Sequence, residues 1–262
     1  LQSLLDGYFK EVLKVDYETI YNTDFIDQIA FPEDKRVVGE IKELISLLRR
    51  YDFSKLGFDV IGGIFERLIP AEERHILGQY FTNPDVVDLI LKFCLRHEDD
   101  KVFDPSCGAG TFFVRAYKHK QLMNQRLNNQ HILKTLWGTD IAKLPAHLST
   151  INLAIHDLAV DENYPQILQE DFFDLRLGGR EEFGKEARRK KLATVGAKKV
   201  VIEYPKIVDC IVGNPPYTRQ EEIADISSAE TYKEELIRKA LHDGTKKLAN
   251  ISKRAGIYAY FF

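Results

Sequence analysis

The chain has 262 residues, 44% hydrophobic and 29% charged, which excludes a disordered segment and supplies either one large core or a core with an accessory domain. No run of about 18 apolar residues occurs, which excludes a spanning helix and predicts no membrane partner. A formal net charge of -3 argues against a surface that binds nucleic acid all over, while leaving room for a local basic face.

Residues 1–75 read as a small helical domain. Leu44, Ile45, Leu47 and Leu48 recur at helical spacing, as do Phe58, Ile61, Ile64, Phe65 and Leu68, and Pro70 closes the segment. The run Gly78-Gln79-Tyr80-Phe81-Thr82-Asn83-Pro84 follows. Thr82 or Asn83 is the expected cap of a helix over 85–93, while Gln79, Tyr80 and Phe81 remain a polar and aromatic cluster that capping does not explain.

From residue 100 the texture changes to strands alternating with helices. Strands are predicted over 101–104, 135–140, 166–170 and 208–212, with a helix after the first and another over 144–154. That alternation indicates βαβ units and an α/β fold with a mostly parallel sheet. Ligands of such sheets bind at the carboxyl ends of the strands, near the point where the strand order reverses. Asp104, Asp140, Asp171 and Asn214 stand at those four ends, a pattern that suits a site better than packing.

Each end has a plain alternative. Asp104-Pro105-Ser106-Cys107-Gly108-Ala109-Gly110-Thr111 is a glycine-containing turn over which a ligand can approach the backbone, and any tight βα turn has similar composition. Its spacing is not G-x-G-x-x-G and no Walker lysine follows, which counts against dinucleotides and nucleoside triphosphates. Asp140, followed by Ile141, suits a ribose hydroxyl or a helix cap. Asp171-Phe172-Phe173 suits an adenine amine with a ring over it, or a turn leading core aromatics.

Between the third and fourth strands, Lys185, Arg188, Arg189, Lys190, Lys191, Lys198 and Lys199 face a single acid, Glu186. The segment is either a solvated insertion or a phosphate contact. The apolar run 207–213 reads as a buried strand that ends in Asn214-Pro215-Pro216-Tyr217. Two prolines remove two backbone donors and hold the chain extended, which makes a rigid polar cup with an aromatic lid. Such a cup suits a planar group bearing an amine. A helix over 228–249 and an apolar segment over 256–262 complete the chain. Cys94, Cys107 and Cys210 have no metal-ligand spacing, and no metal is expected. Their odd number fits reduced thiols in a cytoplasmic protein. The single methionine, Met123, and the start at Leu1 suggest a piece of a longer protein.

In order, the motifs run G-Q-Y-F-T-N-P, D-P-S-C-G-A-G, G-T-D, D-F-F and N-P-P-Y. This order resembles the N6-adenine DNA methyltransferases of the gamma arrangement, above all type I modification subunits and type IIG restriction-modification enzymes. The likeness covers residues 78–217, with a weaker extension back to the I-F-E-R-L run at Phe65. The family more often has proline directly after the threonine; here Asn83 intervenes and Pro84 follows it.

The resemblance implies a Rossmann-like class I S-adenosylmethionine-dependent methyltransferase domain over 76–262, preceded by the helical domain over 1–75. It implies that Tyr80, Phe81, Thr82 and the turn holding Asp104, Pro105, Cys107, Gly108 and Gly110 lie against the methionine part of the cofactor. Asp140 and the adjoining Ile141 belong to the ribose side, and Asp171 and Phe172 to the cofactor adenine. A flipped target adenine would enter the cup of Asn214, Pro215, Pro216 and Tyr217. Partners implied are double-stranded DNA, a specificity subunit or fused target-recognition domain, and a restriction subunit or nuclease domain. Sheets of this family continue with further strands after the 256–262 segment, so the sheet is expected to be truncated and this piece alone poorly active and not sequence-specific. No P-D…(D/E)-x-K nuclease motif is evident. The cup by itself also suits RNA-base or protein-glutamine amines, and a structural fragment is the non-enzymatic alternative.

Overall fold

Short apolar runs ending in polar residues assemble as one parallel sheet. The computed structural model describes residues 7, 34–51, 82–154, 165–175, 190–193, 199–202, 204–205, 207–217, 236–243, 246–247, 249–251 and 256–261. Its helices are α1 (Lys35–Leu48), α2 (Pro84–Cys94), α3 (Thr111–Met123), α4 (Asn129–Leu133) and α5 (Lys143–Ala154). Its strands are β1 (Val102–Asp104), β2 (Leu136–Asp140), β3 (Gln166–Gln169), β4 (Lys190–Ala193), β5 (Lys199–Ile202), β6 (Cys210–Ile211), β7 (His242–Asp243) and β8 (Lys246–Lys247).

The main sheet has the order β3-β2-β1-β6 and every pair in it is parallel. From β1 the chain moves outward through β2 to β3, and β6 adds on the opposite side. The strand order therefore reverses between β1 and β6, which fixes where a ligand crevice forms. Register sets Phe103 beside Trp137 and Ile211, and Asp140 beside Gln169.

The larger core joins Val102, Leu136, Ile167 and Cys210 of the sheet to Val87, Leu91, Phe113, Ala116 and Leu153 of the helices. Phe103, Trp137 and Leu168 pack with Leu175 and Tyr204 in a second cluster. Asp88 of α2 clips that helix to α3: Arg115 Nε donates to its Oδ1 at 2.8 Å, Arg115 Nη2 donates to its Oδ2, and His119 Nε2 lies 3.2 Å from Oδ1. The fully buried Lys120 of α3 donates through Nζ to the carbonyls of Glu98 and Asp100, at 2.7 and 2.6 Å, and so pins the approach to β1. Burial lowers its pKa to about 8, opposed by the Asp100 and Asp99 carboxylates.

Two expectations need correction. The run 207–213 is not a buried strand: only Cys210 and Ile211 pair, and Ile207 and Ile211 are 74% and 63% exposed. Among the described residues β6 is the last strand on its side, and by the alternation of a strand Cys210 and Val212 turn into the core while Ile211 faces outward. The helix expected over 228–249 is helical over 236–241 within the described residues and then gives way to the antiparallel pair β7–β8. Gly244 disfavours the helix, and Asp243-Gly244 is a strong hairpin signal.

The antiparallel β4–β5 pair was not anticipated. It takes part of the basic stretch, the rest of which lies outside the described residues, as does the 58–68 helical run. α1 bears out the first helical expectation, with Leu44, Leu47 and Leu48 exposed.

Phe113→Ala should cost about 3–5 kcal/mol, because this ring is fully buried against the sheet. Ile207→Ser should stay within about 0.5 kcal/mol of the parent. Urea midpoints at unchanged slope measure both; a loss at Ile207 as large as at Phe113 would restore the buried strand.

Candidate active site

The D-P-S-C-G-A-G turn is held by its own backbone N–H groups and by two side-chain donors from β2 and α5. Cys107 N–H donates to Thr139 O at 2.9 Å, and Thr139 Oγ1 returns a bond to Pro105 O at 3.0 Å. Gly108 N–H donates to Asp140 Oδ2 at 2.9 Å, and Ser106 N–H to Asp104 Oδ1 at 3.0 Å. Asn152 Nδ2 of α5 donates to Ala109 O at 2.7 Å. Gly108 and Gly110 have φ of 53° and 87°, the left-handed region that glycine tolerates. At Gly110 a Cβ would also stand 2.5 Å from Ser149 Oγ, so both torsion and space require glycine.

Two carboxylates are buried beneath this turn. Asp104 is 1% exposed; burial pushes its pKa up to about 8, the Asp140 carboxylate adds to the rise, and the Ser106 N–H opposes it. Burial also raises Asp140, against N–H bonds from Ala142 and Gly108. Among the described residues no basic side chain pairs with either acid. Burial raises the Cys107 thiol as well, and both carboxylates reinforce it, so Cys107 is a neutral wall and not a nucleophile.

Asp140 serves as the expected cap, its Oδ1 accepting from Ala142 N–H at 2.9 Å just before α5. Its bond to Gly108 makes it in addition a clamp on the turn. Ile141 beside it is exposed. Asp171 also caps: Oδ1 accepts from Phe173 N–H at 3.0 Å, and Oδ2 lies 4.0 Å from Lys239 Nζ, which sits closer to Asp174 at 2.8 Å. Phe172 stacks on Phe261 with ring centres 5.5 Å apart and planes 12° apart.

The N-P-P-Y segment leaves β6 beside that turn. Val212 N–H donates to Phe103 O at 2.9 Å, and Gly213 then crosses Asp104 so closely that a Cβ would stand 2.7 Å from Oδ1. Asn214, Pro215 and Pro216 are half-buried, and Tyr217 is exposed with its ring 6.0 Å from that of Tyr258. Asn214 Nδ2 donates to Thr82 Oγ1 at 3.0 Å. Thr82 directly precedes Asn83, whose Oδ1 caps α2 by accepting from Asp85 N–H at 2.8 Å.

The described contacts thus join Thr82, Asp104, Pro105, Cys107, Gly108, Gly110, Asp140 and Asn214 in one neighbourhood. Tyr80 and Phe81 lie outside the described residues. Thr139, Asn152, Tyr204 and Tyr258 were not foreseen. Tyr204 OH donates to Gly138 O at 2.6 Å, under the same strand end. Ser149, Thr150 and Asn152, buried polar residues clustered in the second half of α5, were the available signal.

A four-stranded parallel sheet with this turn and this strand exit defines a Rossmann-like fold of the methyltransferase type. The chain spans the whole of its match to the type I restriction-modification methyltransferase subunit of Streptococcus thermophilus, with a TM-score of 0.54, 18% identity and 48% of that chain covered. The chain belongs to the N-6 DNA methylase family, whose pattern it matches over residues 57–250. It is 27% identical over 124 residues to the type I restriction enzyme MjaVII methylase subunit of Methanocaldococcus jannaschii, covering 47% of this chain and 20% of that one. It is 30% identical over 107 residues to the HindI methylase subunit of Haemophilus influenzae, covering 39% and 23%. The chain therefore spans under a quarter of the length of these methylase subunits.

The buried acid gives a pH test. The folded pKa of Asp104, about 8, lies above the ordinary carboxylate value of 3.8, so the folded state binds more protons than the unfolded one between those values. Its contribution to stability is full below the lower value and is lost as pH rises toward 8. In Asp104→Asn the fall in melting temperature between pH 5 and pH 8 should be shallower than in the parent, as read by thermal melts across that range. Parallel curves would mean that Asp104 is ionised throughout.

Proposed function

We propose that this chain carries the cofactor site and the base cup of a DNA adenine-N6 methyltransferase of a restriction-modification system. The observation that carries the proposal is the exit of Asn214-Pro215-Pro216-Tyr217 across the buried Asp104 turn at the switch point of the sheet. Bound there, S-adenosylmethionine supplies an electrophilic methyl group on a sulfonium.

The residues present fit that cofactor. Asp104 and Asp140 are carboxylates raised by burial, and a neighbouring positive charge relieves such groups. Among the described residues, Ser106 Oγ is buried without a partner in the same turn, and no atom lies within 4 Å of a Cβ built at Gly108. The turn, with the family positions Tyr80 and Phe81, would hold the methionine part. Asp140 and Ile141 would face the ribose, and Asp171 and Phe172 the adenine.

An adenine amine is a weak nucleophile because its lone pair is delocalised into the ring. Asn214 Oδ1 and the Pro215 carbonyl would accept its two hydrogens and localise that pair toward the methyl. The same acceptors stabilise the positive charge that grows on nitrogen, an electrostatic effect of preorganised groups. Tyr217 is exposed, as a platform for a base rotated out of a duplex must be. Residues 76–262 would form this catalytic domain and residues 1–75 a helical domain ahead of it. The relatives' names, methylase subunits of type I restriction enzymes, support a role in a restriction-modification assembly; its partners would be double-stranded DNA, a specificity subunit or fused recognition domain, and a restriction subunit or nuclease domain, in the cytoplasm.

Tritium transfer from labelled cofactor to DNA, RNA and protein tests the substrate class, with DNA adenine the expected acceptor. Asn214→Ala should lower transfer by about 10²–10³-fold while calorimetry finds cofactor affinity unchanged. A matching loss of affinity would move Asn214 into the cofactor pocket. Tyr217→Ala should weaken DNA capture by about 1–3 kcal/mol, and Tyr217→Phe should be mild. Equal damage from Phe and Ala would exclude stacking as the role of this ring.

A further inference from the structure

Asn214 requires orientation from outside its own strand. Its side chain has an acceptor end, Oδ1, and a donor end, Nδ2. Only the acceptor end suits an amine; the donor end would set N–H against N–H. β6 contributes two residues to the sheet, and the two prolines after Asn214 have no N–H with which to hold the amide. A contact 132 residues away does hold it, the Nδ2 bond to Thr82 Oγ1 at 3.0 Å.

Thr82 is itself well anchored. The next residue, Asn83, caps α2, and Pro84 opens the helix with a fixed φ. Val87 and Leu91 of α2 are fully buried, and Asp88 fastens the helix to Arg115 and His119 of α3. α3 starts at Thr111, directly after the Gly110 turn. The position of Thr82 is therefore referenced to the turn that meets Gly213 through Asp104, and the circuit closes on Asn214.

We infer that Thr82 is a positioning residue for Asn214: its hydroxyl engages Nδ2 and leaves Oδ1 facing the target amine. The inference rests on the proposed action of Asn214 in the cup. It departs from the family resemblance, which sets Thr82 against the methionine part of the cofactor. The hydroxyl is the group that matters, so an isosteric valine removes the function and a serine keeps it.

The test uses the intact protein. At saturating cofactor and DNA, Thr82→Val should lower the turnover rate about tenfold, the equivalent of one hydrogen bond, and Thr82→Ser should restore most of it. Cofactor affinity by calorimetry should be unmoved in both. Weakened cofactor binding with a normal saturated rate would overturn the inference and return Thr82 to the cofactor pocket. So would a valine variant equal to the parent in both measurements. A readout independent of activity is the side-chain amide resonance of Asn214 in ¹⁵N-labelled protein, assigned by its loss in Asn214→Asp. It should shift in Thr82→Val and hold in Thr82→Ser, and an unmoved resonance sinks the inference. A parent protein that methylates no adenine would defeat the functional proposal alone, because this resonance still reports the Thr82 contact.

Discussion

Two carboxylates buried under one turn govern this molecule. Asp104 and Asp140 close neighbouring strands, with Asp104 paired to Gly138 two residues before Asp140. Taking an unpaired carboxylate from water is costly unless hydrogen bonds replace the lost hydration. Here the replacements are the backbone N–H groups of Ser106, Gly108 and Ala142. The Gly108 N–H reaches Asp140 from a residue in the left-handed conformation, which explains glycine at 108 better than any need for flexibility. The turn is thus shaped by the acids beneath it.

From that turn the other parts of the site take their places. α3 leaves it and carries Arg115 and His119 to α2. α2 carries Thr82 back to Asn214, and Gly213 returns the chain to Asp104. The step between α2 and α3 is a three-contact clip and the others are single close contacts, and together they form a closed circuit through residues 82–94, 104–123 and 213–214. A closed circuit is stiffer than any of its contacts, because moving one member requires moving the next. Placement of reacting groups to a fraction of an ångström, on which orientation effects in catalysis depend, is more readily met by such a circuit than by an isolated loop.

The sequence made some of this legible and hid the rest for physical reasons. β1, β2 and β3 were visible because each is an apolar run that stops on a polar residue. Asn83 was visible as a cap because its spacing to Pro84 and the apolar face of α2 is local. β6 was overstated because seven consecutive mostly apolar residues look buried, while an edge strand buries only alternate ones. α4 has five residues, too few for a period to register. The helix expected to run to 249 yields near Gly244, where hairpin chemistry outweighs charge pattern. Thr82–Asn214 and Gly213–Asp104 are tertiary pairs, and no local propensity encodes them.

The weak pairing of β6 has a consequence for how stability and chemistry divide in this fold. β1 and β2 are buried along their whole length, and they carry the proposed cofactor groups Asp104 and Asp140. The strand that carries the cup pairs through only two residues and exposes one of them. Changes in the cup therefore fall where little folding energy is invested, while changes in the turn fall on the core. A stability cost is concentrated at Asp104, whose ionisation opposes folding, and a cation bound beside it would recover that cost. In the proposed enzyme a positively charged donor beside Asp104 would favour loss of the proton that burial keeps on it, so binding of that donor and ionisation of the turn are coupled.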